Sequence, residues 1–163
     1  MTEKRNYHIS LRVFHPSLDP DIISRELTMK PNRAWRAGEP RTTPKGISLP
    51  GVYDSTYWYT DLPARRGLTA AELVEAAMKR IVSRRAFLRR VVSSGGRWEF
   101  YVTGGGDKLA EEFGFQVLAP LADAKGDLSL GAASLECERG HGRARRGGGL
   151  AEFRGLGGGK LSL

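Results

Sequence analysis

The sequence has little of the two side chains on which many metal and catalytic sites depend. Cys137 is the only cysteine, which excludes a disulfide within the chain and a zinc site built from thiolates. The three histidines, His8, His15 and His141, lie far apart, and no carboxylates accompany them at the spacing of metal ligands. We therefore expect no metal site, no cofactor and no catalytic activity.

Long apolar runs are absent as well. No stretch of about 18 apolar residues could span a membrane, and residues 1–10 lack the apolar core of a secretory signal. The three glycines at 104–106 are not followed by the Gly-Lys-Ser/Thr ending of a phosphate-binding loop. These absences favour a cytosolic protein that has no membrane partner.

Basic side chains outnumber acidic ones, and the net charge is +8. Residues 1–136 carry 20 basic and 16 acidic side chains, whereas the 27 residues of 137–163 carry six and two. Half of the excess charge thus lies in a short segment in which nine residues are glycine. Such a segment buries too little apolar surface to offset the entropy of ordering it. We predict one domain over residues 1–136 and a disordered basic tail over residues 137–163.

Hydrophobic periodicity predicts strands that alternate with helices in residues 1–136. Strands are predicted at residues 7–15, 52–60, 97–103 and 128–135, with a short extended segment at 113–117. Helices are predicted from the N-cap Asp19 to before Pro31, over 68–94 with a break near 83–85, and over 118–124. Residues 30–51 contain four prolines and are predicted to form a long loop.

The character of these strands indicates the fold class. They lack the long apolar runs of a parallel sheet that is buried on both faces. Their alternating pattern favours an α+β fold, a ferredoxin-like sandwich with a largely antiparallel sheet and helices on one face.

The first third of the chain also carries a motif. Its elements are, in order, the helix start Leu18-Asp19-Pro20, the helix-ending Leu27, Pro31, and Arg33, Trp35, Gly38, Glu39 and Pro40 of the stretch RAWRAGEPR (residues 33–41). With Trp58 on the next strand, this order resembles the bacterial domain-of-unknown-function family 4279, and a weaker likeness extends to residue 135. Thr28 stands where that family usually has a glycine. The resemblance implies a fold and no activity, because the family has no assigned biochemistry.

The stretch RAWRAGEPR combines an aromatic ring with cationic side chains, and two interpretations of it stay open. In one, Trp35 lines an open groove in which Arg33 and Arg36 donate to a partner. In the other, which we favour, Trp35 anchors a long loop by packing against the sheet, and Glu39 pairs with an arginine. The candidate partner- or ligand-binding residues are Arg33, Trp35, Arg36, Glu39, Arg41 and Trp58.

The leading functional hypothesis is a small non-catalytic domain, of an accessory or immunity type, that binds another protein, because Trp and Arg are enriched in binding hot spots. The alternative is nucleic-acid binding through basic side chains. Its candidate residues are Arg84, Arg85, Arg89 and Arg90 of the long helix and Arg143, Arg145 and Arg146 of the tail. A third and weaker hypothesis places a small ligand in a cleft between residues 30–51 and the sheet. The sequence specifies neither the partner nor the oligomeric state.

Overall fold

The structure, a computed structural model, describes residues 7–63, 67–104, 112–132 and 160–162. Within these residues the strands are β1 (Tyr7–His15), β2 (Arg33–Trp35), β3 (Pro40–Thr42), β4 (Ser48–Val52), β5 (Thr56–Asp61), β6 (Arg97–Gly104), β7 (Asp127–Ala132) and β8 (Lys160–Ser162). The helices are α1 (Pro20–Leu27), α2 (Ala70–Ile81), α3 (Arg85–Ser93) and α4 (Phe115–Asp123), and a short 3-10 turn (Val82–Arg84) joins α2 to α3.

The main sheet has the strand order β2-β5-β1-β6-β7-β8. Its neighbouring strands are antiparallel except for β6 and β7, which run parallel because α4 provides the crossover between them. The strands β3 and β4 form a separate two-stranded hairpin. The predicted α+β class with a largely antiparallel sheet is therefore confirmed.

Helices cover one face of this sheet and create the core. Trp58, Trp98 and Phe100 are fully buried there. Each buried indole N–H has a partner: Trp58 Nε1 donates to Ser24 Oγ at 2.9 Å, and Trp98 Nε1 donates to the Ala124 carbonyl oxygen at 3.0 Å. Because both donors are satisfied, these large rings contribute their full apolar area without an unpaired polar group.

Local sequence signals set the starts of α1 and α2 as predicted. Asp19 caps α1 by accepting from the Asp21 N–H at 2.9 Å. Thr69 and Glu72 form a capping box at the start of α2. The predicted break in the long helix is present as the 3-10 turn, which separates α2 from α3.

Three predictions of local structure were wrong. Residues 30–51 contain β2, β3 and most of β4 instead of a continuous loop. The strand predicted at 52–60 begins only at Thr56, as β5, because Val52 belongs to β4. These short strands owe their form to pairing partners that sequence periodicity does not reveal. The segment predicted to be extended at 113–117 enters α4 at Phe115, one residue after the N-cap Gly114.

The structure describes only a small part of the predicted C-terminal tail. Of residues 137–163, all but 160–162 lie outside the described residues, so the predicted disorder of this segment stays a prediction. Within the segment predicted as disordered, β8 pairs antiparallel with β7, with Leu161 opposite Leu128.

Candidate functional site

The stretch RAWRAGEPR begins as an edge strand of the main sheet. In β2, Arg33 lies opposite Tyr59 and Trp35 lies opposite Tyr57 of β5. The alternation of a strand places Arg33 and Trp35 on the face away from the helices, which we call the open face, while Ala34 packs against the core. The first part of the motif is therefore held by sheet pairing.

Trp35 is half-buried in a stack of aromatic rings on the open face. Its ring lies 4.5 Å from that of Tyr53, at an interplanar angle of 15°, and 4.5 Å from that of Tyr57, at 39°. The Arg33 guanidinium carbon lies 5.1 Å from the Trp35 ring centroid. Trp35 thus anchors its own segment and also lines a groove with Arg33, so each of the two interpretations describes part of its role.

A side chain of β2 also holds the β3–β4 hairpin, by donating to the carbonyl oxygen of Thr42. The Thr42 carbonyl oxygen accepts from Arg33 Nη2 at 2.8 Å and from the Tyr53 hydroxyl at 3.0 Å. The Tyr53 hydroxyl in turn accepts from the Thr42 N–H at 3.1 Å, and this bond lowers the pKa of Tyr53. Arg33 therefore holds the hairpin in place as well as facing the groove.

The turn at residues 36–39 uses its charged side chains structurally. Glu39 Oε2 accepts from the backbone N–H of Arg36 at 3.0 Å, whereas an arginine side chain was predicted as its partner. The Arg36 guanidinium donates to Asp19 Oδ2 at 3.1 Å. Gly38 has a φ of 85°, a left-handed conformation that favours glycine. Arg41 lies exposed on β3.

Trp58 does not belong to this surface, although the sequence placed it among the candidate contacts. It is fully buried on the helix-covered face, where it donates to Ser24. The alternation between Tyr57, Trp58 and Tyr59 already implied that Trp58 faces away from the two tyrosines. Its role is therefore in the core.

Strand register brings residues together on the open face that the sequence did not single out. Arg33 lies opposite Tyr59, Tyr59 lies opposite Arg12, and Arg12 lies opposite Glu99. The polar positions of β1 were visible as one side of an alternating strand. Their neighbours on β2, β5 and β6 depend on pairing over long sequence distances, which no local pattern specifies.

Glu99 is a buried carboxylate on the open face, and basic and hydroxyl groups surround it. It accepts from Arg97 Nη1 at 3.1 Å and from the Ser129 hydroxyl at 2.8 Å. Arg12 Nη1 lies 3.8 Å from its other oxygen. The Arg12 guanidinium in turn lies over the Tyr101 ring, with its central carbon 3.6 Å from the centroid. Glu99 thus has close partners, while Arg12 is held mainly by stacking.

These side chains line a groove of about 580 Å³ on the open face. Its floor is formed by β1, β5 and β6, and Pro44 of the hairpin closes one side. Arg12, Arg33, Tyr59 and Tyr101 are among its lining residues. A cavity of this size is typical of small-ligand sites.

The helix arginines proposed for nucleic-acid binding mostly contact other parts of the chain. Arg84 donates to the Thr28 hydroxyl at 3.0 Å, Arg89 pairs with Asp123, and Arg90 Nη2 lies 3.7 Å from Glu26 Oε2. Arg85 is exposed. Arg143, Arg145 and Arg146 lie outside the described residues. The helix arginines therefore do not form one unpaired basic stripe.

His15 and Ser94 are in contact, but their hydrogen bonds have the wrong direction for a serine nucleophile. His15 Nδ1 accepts from the N–H groups of Ser17 and Leu18 at 3.0 and 2.8 Å, so the neutral ring carries its proton on Nε2. Nε2 lies 3.0 Å from Ser94 Oγ, which donates to the Arg90 carbonyl oxygen at 2.7 Å. A catalytic histidine would have to accept the serine proton.

This histidine makes stability depend on pH. Burial lowers the pKa of His15 below its ordinary value, and protonation of Nδ1 would break both bonds to the backbone. As the pH falls, the unfolded chain therefore binds the proton first. The stabilising contribution of neutral His15 to folding is complete above the unfolded-state pKa of about 6.5. It is lost as the pH falls through that value toward the folded-state pKa.

Urea unfolding between about pH 8 and pH 5 measures this effect. The free energy of unfolding is expected to decline below about pH 6.5 in the wild type and to decline less in His15→Asn, which keeps an acceptor but does not titrate there. An equal decline in both proteins would show that His15 is not responsible.

The described part of the chain contains no group of three or more His, Cys, Asp or Glu residues that could hold a metal ion. None of its helices combines the length and the apolar character that crossing a membrane requires.

Comparison with known proteins identifies a family and nothing narrower. Neither the curated proteins nor the solved structures contain a match to this chain. A family model described as "Domain of unknown function (DUF4279)" matches residues 5–128, which include β1, the RAWRAGEPR motif, α2, α3 and β6. The chain therefore belongs to the DUF4279 family, whose function is unknown.

Proposed function

We propose that this protein is a non-catalytic, cytosolic domain that binds another protein through its β3–β4 hairpin. The observation that carries the proposal is the exposure of three large aliphatic side chains on this one element. Ile47, Leu49 and Val52 are 62%, 39% and 52% exposed. Single apolar residues scattered on a surface are ordinary, but three exposed aliphatic side chains within residues 47–52 are typical of a protein interface.

The hairpin is held in one orientation before any partner binds. Gly38 N–H donates to the Tyr53 carbonyl oxygen at 2.8 Å, and Tyr53 N–H donates to the Glu39 carbonyl oxygen at 2.9 Å. At the tip, Thr43 N–H donates to the Ile47 carbonyl oxygen at 2.8 Å. Because little flexibility must be lost on association, a rigid element of this kind binds at a lower entropic cost.

Side chains, more than backbone edges, are suited to make the contact. Pro40 in β3 and Pro50 in β4 have no N–H groups to offer an added strand. Residues 40–53 contain Arg41 and Lys45 and no acidic side chain. We infer that the partner presents an apolar surface rimmed by acidic groups, which would complement both features.

A protein partner is favoured over a nucleic acid because of where the basic side chains lie. Arg89 and Arg90 are paired with Asp123 and Glu26, which reduces the charge available to phosphates. The hairpin adds apolar surface, which a phosphate backbone does not complement. A small domain with such a surface suits an accessory or immunity-type role, in which it acts by binding another protein.

Site-specific photocrosslinking tests this proposal. A photoreactive residue at Leu49 of the full chain, introduced in the cells that produce it, is expected to give a defined adduct with one protein. The same residue at Ser83, exposed in the turn between α2 and α3, serves as the matched control and is expected to give none. Equal adducts from both positions, or none from Leu49, would contradict the proposal.

A further inference from the structure

We propose that the open-face groove binds a small organic anion, whose carboxylate or phosphate group lies between Arg12 and Arg33. This site is separate from the apolar outer side chains of the hairpin, and it requires no protein partner. The shared chemistry of the two ligand types is a planar or tetrahedral oxyanion that accepts hydrogen bonds from guanidinium groups.

The first observation is the placement of the two arginines. Arg33, Tyr59 and Arg12 are in register on β2, β5 and β1, so their Cα atoms form a row across the sheet. Adjacent strands lie about 4.8 Å apart, which separates the two arginine backbones by about 10 Å. Arg12 and Arg33 thus lie on either side of Tyr59, and both line the groove.

Both guanidinium groups are held in position before a ligand arrives. Arg12 lies over the Tyr101 ring at 3.6 Å, and Arg33 lies over the Trp35 ring at 5.1 Å. Stacking fixes the plane of a guanidinium and leaves its N–H groups pointing outward from the plane's edge. The two long side chains are then ordered already in the folded protein, so the anion loses less free energy to their ordering when it binds.

The second observation is that protein groups engage Arg12 only weakly. The nearest carboxylate, Glu99, is 3.8 Å from Nη1, beyond hydrogen-bonding distance, and already accepts from Arg97 and Ser129. Arg12 Nε is buried and has no hydrogen-bond partner among the described residues, so it is not the donor that meets a ligand. The side chain as a whole is 28% exposed, and its terminal N–H groups are those from which an oxyanion in the groove would accept.

Positive charge from both arginines acts on the same part of the groove. Burial raises the pKa of the Tyr57 phenol and Glu99 also raises it, while Arg12 and Arg33 each act in the opposite direction. The acidic residue at the rim, Asp61, accepts from Asn32 at 3.1 Å and lies 3.5 Å from His8 Nε2. The charge of Glu99 is offset by Arg97, and the two arginines outnumber Asp61 among the groove's lining residues, which leaves the groove with a positive balance.

The size and walls of the groove define the rest of the ligand. At about 580 Å³ it is far larger than an inorganic ion needs. Tyr57 and Tyr59 supply aromatic surface on the groove floor, against which a flat organic body can pack. The geometry therefore favours an aromatic or similarly planar anion over a bare phosphate.

Calorimetric titration of the full chain tests this inference with phenyl phosphate, benzoate, inorganic phosphate and the neutral benzyl alcohol as probes. Either aromatic anion is expected to bind, and Arg12→Gln and Arg33→Gln are each expected to weaken its affinity about tenfold or more. Arg85→Gln removes one exposed charge from the helix layer and is expected to change the affinity less than about twofold. Thermal unfolding shows whether each variant is folded. If Arg12→Gln does not fold, the affinity of Arg33→Gln alone tests the inference.

The probes also separate the ligand sources. Tighter binding of phenyl phosphate assigns the site to organic phosphates, and tighter binding of benzoate assigns it to carboxylates. The inference is overturned if neither aromatic anion binds the folded wild type, if benzyl alcohol or inorganic phosphate binds equally well, or if Arg85→Gln weakens binding as much as the groove variants do.

Discussion

Trp58→Ala is expected to lower the free energy of unfolding by about 3–5 kcal/mol, the range for removing a large aromatic side chain from a core. The ring is fully buried between the sheet and α1, and its Nε1 donates to Ser24. The substitution therefore leaves a cavity and also removes the partner of a hydroxyl group. A domain of this size has only about 5–15 kcal/mol of total stability, so much of it would be lost.

Trp35→Ala is the matched comparison, because it removes the same side chain from the open face. Trp35 is half-buried and stacked between Tyr53 and Tyr57, so we expect a smaller loss of about 1–2 kcal/mol. Equilibrium urea unfolding of both variants measures the difference. Equal losses would show that the two tryptophans do not occupy the core and the surface as described.

Gly126→Ala is expected to destabilise the protein by about 1–3 kcal/mol, as overpacking of a dense core does. A Cβ atom at Gly126 would lie within 2.7 Å of three carbons of the Trp98 indole. That ring cannot move aside easily, because it is fully buried and hydrogen-bonded to the Ala124 carbonyl oxygen. Gly126 thus admits the ring at the point where the chain passes from α4 into β7.

A double-mutant cycle isolates this clash. In a Trp98→Leu background, Gly126→Ala is expected to cost at least about 1 kcal/mol less than in the wild type, because the obstructing ring is gone. Gly114→Ala is the control, since within the described part of the chain its Cβ would meet the flexible end of Gln116 and no aromatic ring. Purely additive effects of Trp98→Leu and Gly126→Ala would rule out the proposed contact.

The parts of the fold that the sequence predicted correctly depend on local signals. The alternation in residues 7–15 gave β1, the Asp19 cap gave α1, and Thr69 with Glu72 gave the start of α2. The strands that were missed, β2 to β4, are short, and β3 and β4 each contain a proline. They exist because β2 pairs with β5 and because β3 and β4 pair with each other. Pairing of this kind is a tertiary effect that outweighs local propensity.

The candidate site was only partly accessible from sequence for the same reason. Arg33 and Trp35 stood out by composition, but Arg12 and Tyr101 were ordinary residues of two strands until register placed them in one groove. Trp58 stood out equally and proved to be a core residue. Composition identifies aromatic and basic side chains, whereas the face of the sheet on which they lie decides their role.

Backbone geometry gives Thr28 an unfavourable conformation. Thr28 caps the C-terminus of α1 with a φ of 56°, in the left-handed region. A glycine adopts this conformation without the steric cost that a β-branched residue meets, so the glycine that the resemblance implied for this position fits the backbone better than threonine does.

The affinity of the protein partner for hairpin variants is the most direct test of the proposed function. Once the adduct formed at Leu49 has been identified, the purified partner can be titrated with the wild type and with Leu49→Ser, and Ser83→Ala serves as the control. We expect Leu49→Ser to raise the dissociation constant about tenfold or more, and Ser83→Ala to leave it unchanged. A dissociation constant that is the same for Leu49→Ser and the wild type would contradict the assignment of the hairpin as the binding surface.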